Sequence, residues 1–145
     1  MIDVELVTRK LLLIARDIEP LGAIAAKELA TYLLNPLDEI VVERYLERMI
    51  GRMFDINYHI LTEAGHAPPA DFYGSFTALA DLNILDREFA VRIAGCAGLR
   101  NRIVHEYNDL DSAKVYEALQ MAMHDIPVYL TRVRDYMSRM PPRSA

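Results

Sequence analysis

The sequence predicts an all-α protein, an antiparallel bundle of four or five helices. Apolar residues recur at intervals of three and four along nearly all of the 145 residues, and strand-like alternation is almost absent. The seven prolines fall mainly at breaks in that pattern, at 20, 36, 68–69 and 141–142; only Pro127 interrupts a periodic stretch. Hydrophobic residues make up 52% of the chain, which excludes general disorder and allows a sizeable core. The expected organisation is one helical domain over 1–140 and a disordered tail over 141–145.

Residues 3–19 read as the first helix, with Leu6, Leu13 and Ile14 among its buried positions. Pro20 and Gly22 interrupt it, and a second helical piece runs to about Leu33. Asn35-Pro36 marks a boundary, because proline disfavours helical geometry in its predecessor and suits a first helical turn. A long helix follows over 37–63, with Val42, Leu46, Met49, Ile50, Met53, Ile56 and Ile60 as its apolar stripe. Glu39, Glu43 and Glu47 form an acidic ridge on it, and Arg44, Arg48 and Arg52 a basic one. These ridges read as a solvated face with weak pairs such as Arg44 with Glu47, or as a contact with a partner or a second subunit. Gly65 ends this helix and opens a loop over 65–71. A short helix covers Phe72 to about Ala80, and Asp81-Leu82-Asn83 is a turn. The next helix runs from Asp86, its cap, to about His105. Asn108–Asp111 is a turn, and Asp111 or Ser112 caps the last helix, 112–138. Val115, Leu119, Ala122, Ile126, Leu130, Val133 and Met137 face inward on it, and Pro127 should kink it.

The net charge of −5 argues against nucleic-acid binding by a broad basic surface, since such affinity comes from many phosphate contacts. Any RNA contact must be local or helped by dimerisation. The single cysteine, Cys96, lies in an apolar stretch and reads as a small buried residue; it allows no internal disulfide. The N-terminus lacks the basic and apolar regions of a secretory signal, and no run is long enough to span a membrane. The expectation is a cytoplasmic protein with no membrane partner.

The stretch richest in chemistry is Arg100-Asn101-Arg102-Ile103-Val104-His105-Glu106-Tyr107. Arginine supplies a permanent cation with a planar fork of donors, and histidine exchanges a proton near neutrality. Two apolar residues between them tie the segment to a core. On a helix, Arg100 and His105 diverge by about 140° and are displaced by roughly 7.5 Å along the axis. They line a groove at a helix end, flank a cleft between two subunits, or are simply an exposed arginine and a C-terminal histidine. The dipole of a helix C-terminus favours a protonated imidazole.

The run Gly98–Tyr107 resembles the signature of the HEPN superfamily in its HepT-type toxin branch: R-x-x-x-x-H-x-Y with a polar residue, here Asn101, directly after the arginine. Glu43–His59 looks like the long helix of that branch, and Asp111–Leu119 like the start of its last helix. The resemblance implies a HEPN-like helical bundle that acts as the toxin of a toxin–antitoxin pair. Its activity would be that of a metal-independent endoribonuclease, with RNA as substrate and no cofactor. It implies a homodimer with both motifs in one cleft. Arg100 would bind the scissile phosphate, His105 would serve as general acid or base, and Asn101 would position one of them. Arg102, about 200° from Arg100 on a helix, would either add charge to the cleft or brace the fold. The implied partner is a minimal nucleotidyltransferase antitoxin of the MntA type, which attaches AMP to the motif tyrosine, here Tyr107. The other reading of Tyr107 is a packed ring with a bonded hydroxyl. The alternative function is a non-catalytic HEPN module that binds a nucleotidyltransferase, or a purely structural bundle.

Two further clusters bear on the site. Asp55 and His59 are four apart, with Asn57 and Tyr58 between them. They read as a satisfied hydrogen-bond network or as support for the motif. Glu63 and His66 match Glu-x-x-His, but the second such pair that a bundle metal site requires is missing, so no metal is expected. His124 reads as an ordinary surface or core histidine.

Overall fold

The chain folds into seven helices among the residues that the computed structural model describes: 1–105 and 111–140, with side chains except those of Cys96, Ala97 and 100–105. They are α1 (Val4–Ile18), α2 (Leu21–Ala25), α3 (Leu29–Leu33), α4 (Pro36–Glu63), α5 (Phe72–Asp81), α6 (Arg87–His105) and α7 (Ser112–Ser138). No strand occurs among these residues. Five helices of ten or more residues build the bundle, as the periodicity predicts. The stretch expected as one helical piece to Leu33 is two short helices instead. Glu28 between them is extended, at φ −67° and ψ 153°, which breaks the helix there.

Local signals set the ends. The Asp3 side chain accepts from the Leu6 amide at 3.0 Å and caps α1. Pro36 opens α4, where its missing N–H costs nothing. Gly65 closes α4 at φ +79°, with Gly65 N donating to Thr62 O and His66 N to Leu61 O. Asn83 repeats this closure after α5 at φ +60°, a conformation asparagine tolerates better than most residues. Asp111 caps α7 by accepting from Ala113 N at 2.9 Å.

The apolar stripes of α4 and α7 are buried at every position the sequence marks. On α1 the buried stripe is Val7, Leu11 and Ile14; Leu6 and Leu13 lie on its flanks and are only partly covered. Each is one residue, about 100°, away from the stripe's centre line. The core holds one polar node. Asn57 of α4 donates to Ser75 Oγ of α5 at 3.1 Å and accepts from the Tyr129 hydroxyl of α7 at 2.6 Å. All three are fully buried, so the node ties three helices together with its hydrogen bonds satisfied. Burial pushes the Tyr129 phenol well above its ordinary pKa. No helix among the described residues is long and apolar enough to cross a membrane. The tail over 141–145 lies outside the described residues.

Candidate functional site

Helix α6 runs unbroken to His105, so Arg100, Asn101, Arg102 and His105 all lie on its last turns. The helical geometry then separates Arg100 and His105 by about 140° around the axis and roughly 7.5 Å along it. Their side chains, and the whole of Tyr107, lie outside the described residues. What the structure describes is the frame around them. Ala90, Ile93, Ala94 and Leu99 of α6 are buried, and Leu99 directly precedes Arg100. The motif therefore continues from a helix anchored in the core.

The chain re-enters the frame at α7, whose N-terminal turns are held on three sides. Ser112 Oγ donates to Glu39 Oε2 of α4 at 2.7 Å. The Tyr116 hydroxyl donates to Lys27 O at 2.7 Å, and Gln120 Nε2 to Ala25 O at 2.8 Å. Tyr116 also packs on Tyr32, with ring centroids 5.2 Å apart. Beside Ser112, the Glu43 carboxyl is pushed up to about 7, first by burial and then by the Glu39 carboxylate next to it. A folded-state value above the ordinary carboxyl value of about 4.3 means that folding favours the protonated form. The associated stability is present at low pH and is lost as pH rises through about 7. Glu43→Gln, which stays neutral, should therefore lose less thermal stability than the parent between pH 5 and pH 8. Parallel melting profiles for the two would show that Glu43 does not titrate in this way.

Asp55 and His59 are bonded to the N-terminal end of the chain and not to each other. Asp55 Oδ2 pairs with Lys10 Nζ at 3.1 Å, and His59 Nε2 accepts from the Asp3 amide at 2.9 Å. Glu63 binds the Met1 amine, and His66 Nδ1 lies 2.8 Å from Ala67 O. Among the described residues no group of three or more His, Cys, Asp or Glu side chains is placed to hold a metal ion.

The family model described as Ribonuclease HepT-like matches residues 14–133. The chain belongs to the HepT-like family. It is similar to the tRNA nuclease HepT of Aphanizomenon flos-aquae, with 32% identity over 136 residues covering 94% of this chain and 92% of that protein. It is also similar to a putative RNase of Archaeoglobus fulgidus, with 27% identity over 118 residues covering 81% and 89%. Its fold matches the tri-AMPylated Shewanella oneidensis HEPN toxin solved in complex with an MNT antitoxin. There the TM-score is 0.80 at 23% identity, covering 93% of this chain and 99% of that one. The Bacillus subtilis cytosolic protein YutE superposes with a TM-score of 0.82 at 14% identity, covering 99% and 96%. These likenesses establish the HEPN-like bundle.

Two buried carboxylates of this HepT-like chain escape the sequence reading. Asp17 of α1 is 3% exposed and accepts from Arg48 Nε at 3.2 Å, Arg48 Nη2, and Arg52 Nη1 at 2.6 Å. Asp125 of α7 is 2% exposed and receives a two-pronged contact from Arg92 at 2.9 and 3.1 Å. His124 Nδ1 lies 2.8 Å from the same carboxylate. Burial alone would raise Asp125, but the bonds from Arg92 and His124 hold it below the ordinary carboxylate range. The signal was available: Asp17 falls three residues after Ile14 on the buried stripe, and Asp125 sits between Ala122 and Ile126. The basic ridge of α4 is thus divided. Arg48 and Arg52 clamp α1, while only Arg44, 3.6 Å from Glu47, remains in the expected weak surface pair. Arg44, Arg48 and Arg52 line an open groove of about 310 Å³ with Glu47 and Asp55, so acidic groups offset its charge.

Proposed function

We propose that this chain is the toxin of a toxin–antitoxin pair, a metal-independent endoribonuclease neutralised by a nucleotidyltransferase that adenylylates Tyr107. The observation that carries the reading is the intact Arg100-Asn101-x-x-x-His105-x-Tyr107 pattern at the end of α6, in a chain of the HepT-like family. In this reading the 2′-hydroxyl beside the scissile phosphate attacks phosphorus. His105 takes its proton or gives one to the leaving 5′-oxygen. Arg100 balances the charge that grows on the phosphate oxygens, with Asn101 as a positioning group and Arg102 as a second cation. The products are a 2′,3′-cyclic phosphate and a 5′-hydroxyl.

Because Arg100 and His105 diverge on one helix, a homodimer that faces two α6 ends across one cleft brings an arginine and a histidine to the same phosphate. It also concentrates positive charge in a chain of net charge −5. Asp55 and His59, bonded to α1, support the bundle that presents the motif.

AMP on Tyr107 adds negative charge and bulk where an anionic substrate must enter. Incubation with a nucleotidyltransferase antitoxin and ATP should add one or more AMP units to the tryptic peptide carrying Tyr107 and suppress RNA cleavage. Tyr107→Phe should keep much of the nuclease activity and escape the suppression. AMP on a different residue would remove Tyr107 from this role.

A further inference from the structure

One surface of the bundle is far more apolar than its surroundings. Leu29 and Leu33 of α3, Leu34 after it, and Leu37, Ile40 and Val41 of α4 are all exposed, Leu34 by 85%, Leu37 by 70% and Ile40 by 60%. Leu37, Ile40 and Val41 stand at i, i+3 and i+4, so they share one helix face. Leu29 and Leu33, at i and i+4, do the same on α3. Six large aliphatic side chains at these exposures present on the order of several hundred Å². That is the size of the largest patch on a typical monomer and most of the ~800 Å² per partner in a standard interface. An RNA backbone needs cations, which these positions lack.

The place of the patch names its occupant. Glu39, between Leu37 and Ile40, holds Ser112, the residue where α7 begins just after the motif segment. The apolar face therefore borders the junction between α6 and α7. We infer that the α3–α4 face packs on the same face of a second copy, in a self-complementary two-fold contact that brings two α6–α7 junctions to one cleft. The inference rests on the ribonuclease reading for the purpose of the contact, but its test does not need RNA.

Sedimentation of the purified chain at micromolar concentration should give a dimer. The paired substitution Leu37→Glu/Ile40→Glu should raise the dimer dissociation constant at least about a hundredfold, because like charges would meet across the axis. The gentler Val41→Ser should weaken it less, with unchanged helical circular dichroism. Leu12→Glu, at a leucine of α1 that is 65% exposed, should leave the dimer intact. A monomeric parent overturns the inference. So does a charged α3–α4 variant that stays dimeric, or one that stays dimeric but no longer binds a nucleotidyltransferase, which would assign the face to that partner. Cleavage of RNA is scored separately. A parent that cleaves while the charged variant stays dimeric overturns the face and leaves the ribonuclease. A dimer dissolved by the charges that never cleaves RNA leaves the face and overturns the ribonuclease.

Discussion

Alanine at His105 should lower RNA cleavage by about 10²–10⁴-fold, the usual loss when a general acid or base is removed. Alanine at Arg100 should cost about 10²–10³-fold, the scale of removing one donor to developing negative charge. The two losses arise at the same transition state, so the double variant should fall short of their product. Both positions lie on the last turns of α6, beyond the buried Leu99, so neither substitution opens a hole in the described core. Helical circular dichroism and melting temperature should stay at parental values. Arg100→Lys separates charge from geometry. Lysine keeps the cation and loses the bidentate fork, so activity should remain well below the parent. Variants that cleave as fast as the parent would remove these residues from the chemistry.

Asp17→Ala should produce the largest loss of stability. The carboxylate is buried and joins α1 to α4 through two arginines. Breaking a buried ion pair from one side costs about 3–5 kcal/mol. Arg48 is 42% exposed and Arg52 23%, so both guanidiniums recover some hydration when released. A loss of about 3 kcal/mol is expected, at the lower end of that range. In a domain of this size that lowers Tm by about 6–12 °C. Urea denaturation checks the free energy directly. A change of less than about 0.5 kcal/mol, the scale of an ordinary surface site, would show that the clamp contributes little.

The long helices were legible because their apolar stripes repeat over many turns. Val42 to Ile60 and Val115 to Met137 leave no other way to bury so many side chains. Short elements were less legible. In α1 the neighbours Leu11, Leu12, Leu13 and Ile14 offer several stripes, and the packing against α4 selects Leu11 and Ile14. The break at Glu28 has no proline or glycine to mark it. Buried charge was the main omission. Asp17 and Asp125 are indistinguishable from surface aspartates until Arg48, Arg52 and Arg92, 31 to 35 positions away, are seen to reach them. The candidate site was legible as a motif, since Arg100, Asn101, His105 and Tyr107 form one short segment. Asp55 and His59 had two readings from spacing alone, and their bonds to Lys10 and Asp3 depend on how α1 packs.

The central claim is that this chain cleaves RNA by attack of the neighbouring 2′-hydroxyl, with His105 and Arg100 in place of a metal ion. The most direct measurement is the chemistry of the new RNA ends after incubation of purified protein with RNA in EDTA. Cleavage that leaves 2′,3′-cyclic phosphate and 5′-hydroxyl ends is the predicted result. Ends carrying 5′-phosphate and 3′-hydroxyl, or cleavage seen only when a divalent ion is supplied, would contradict it.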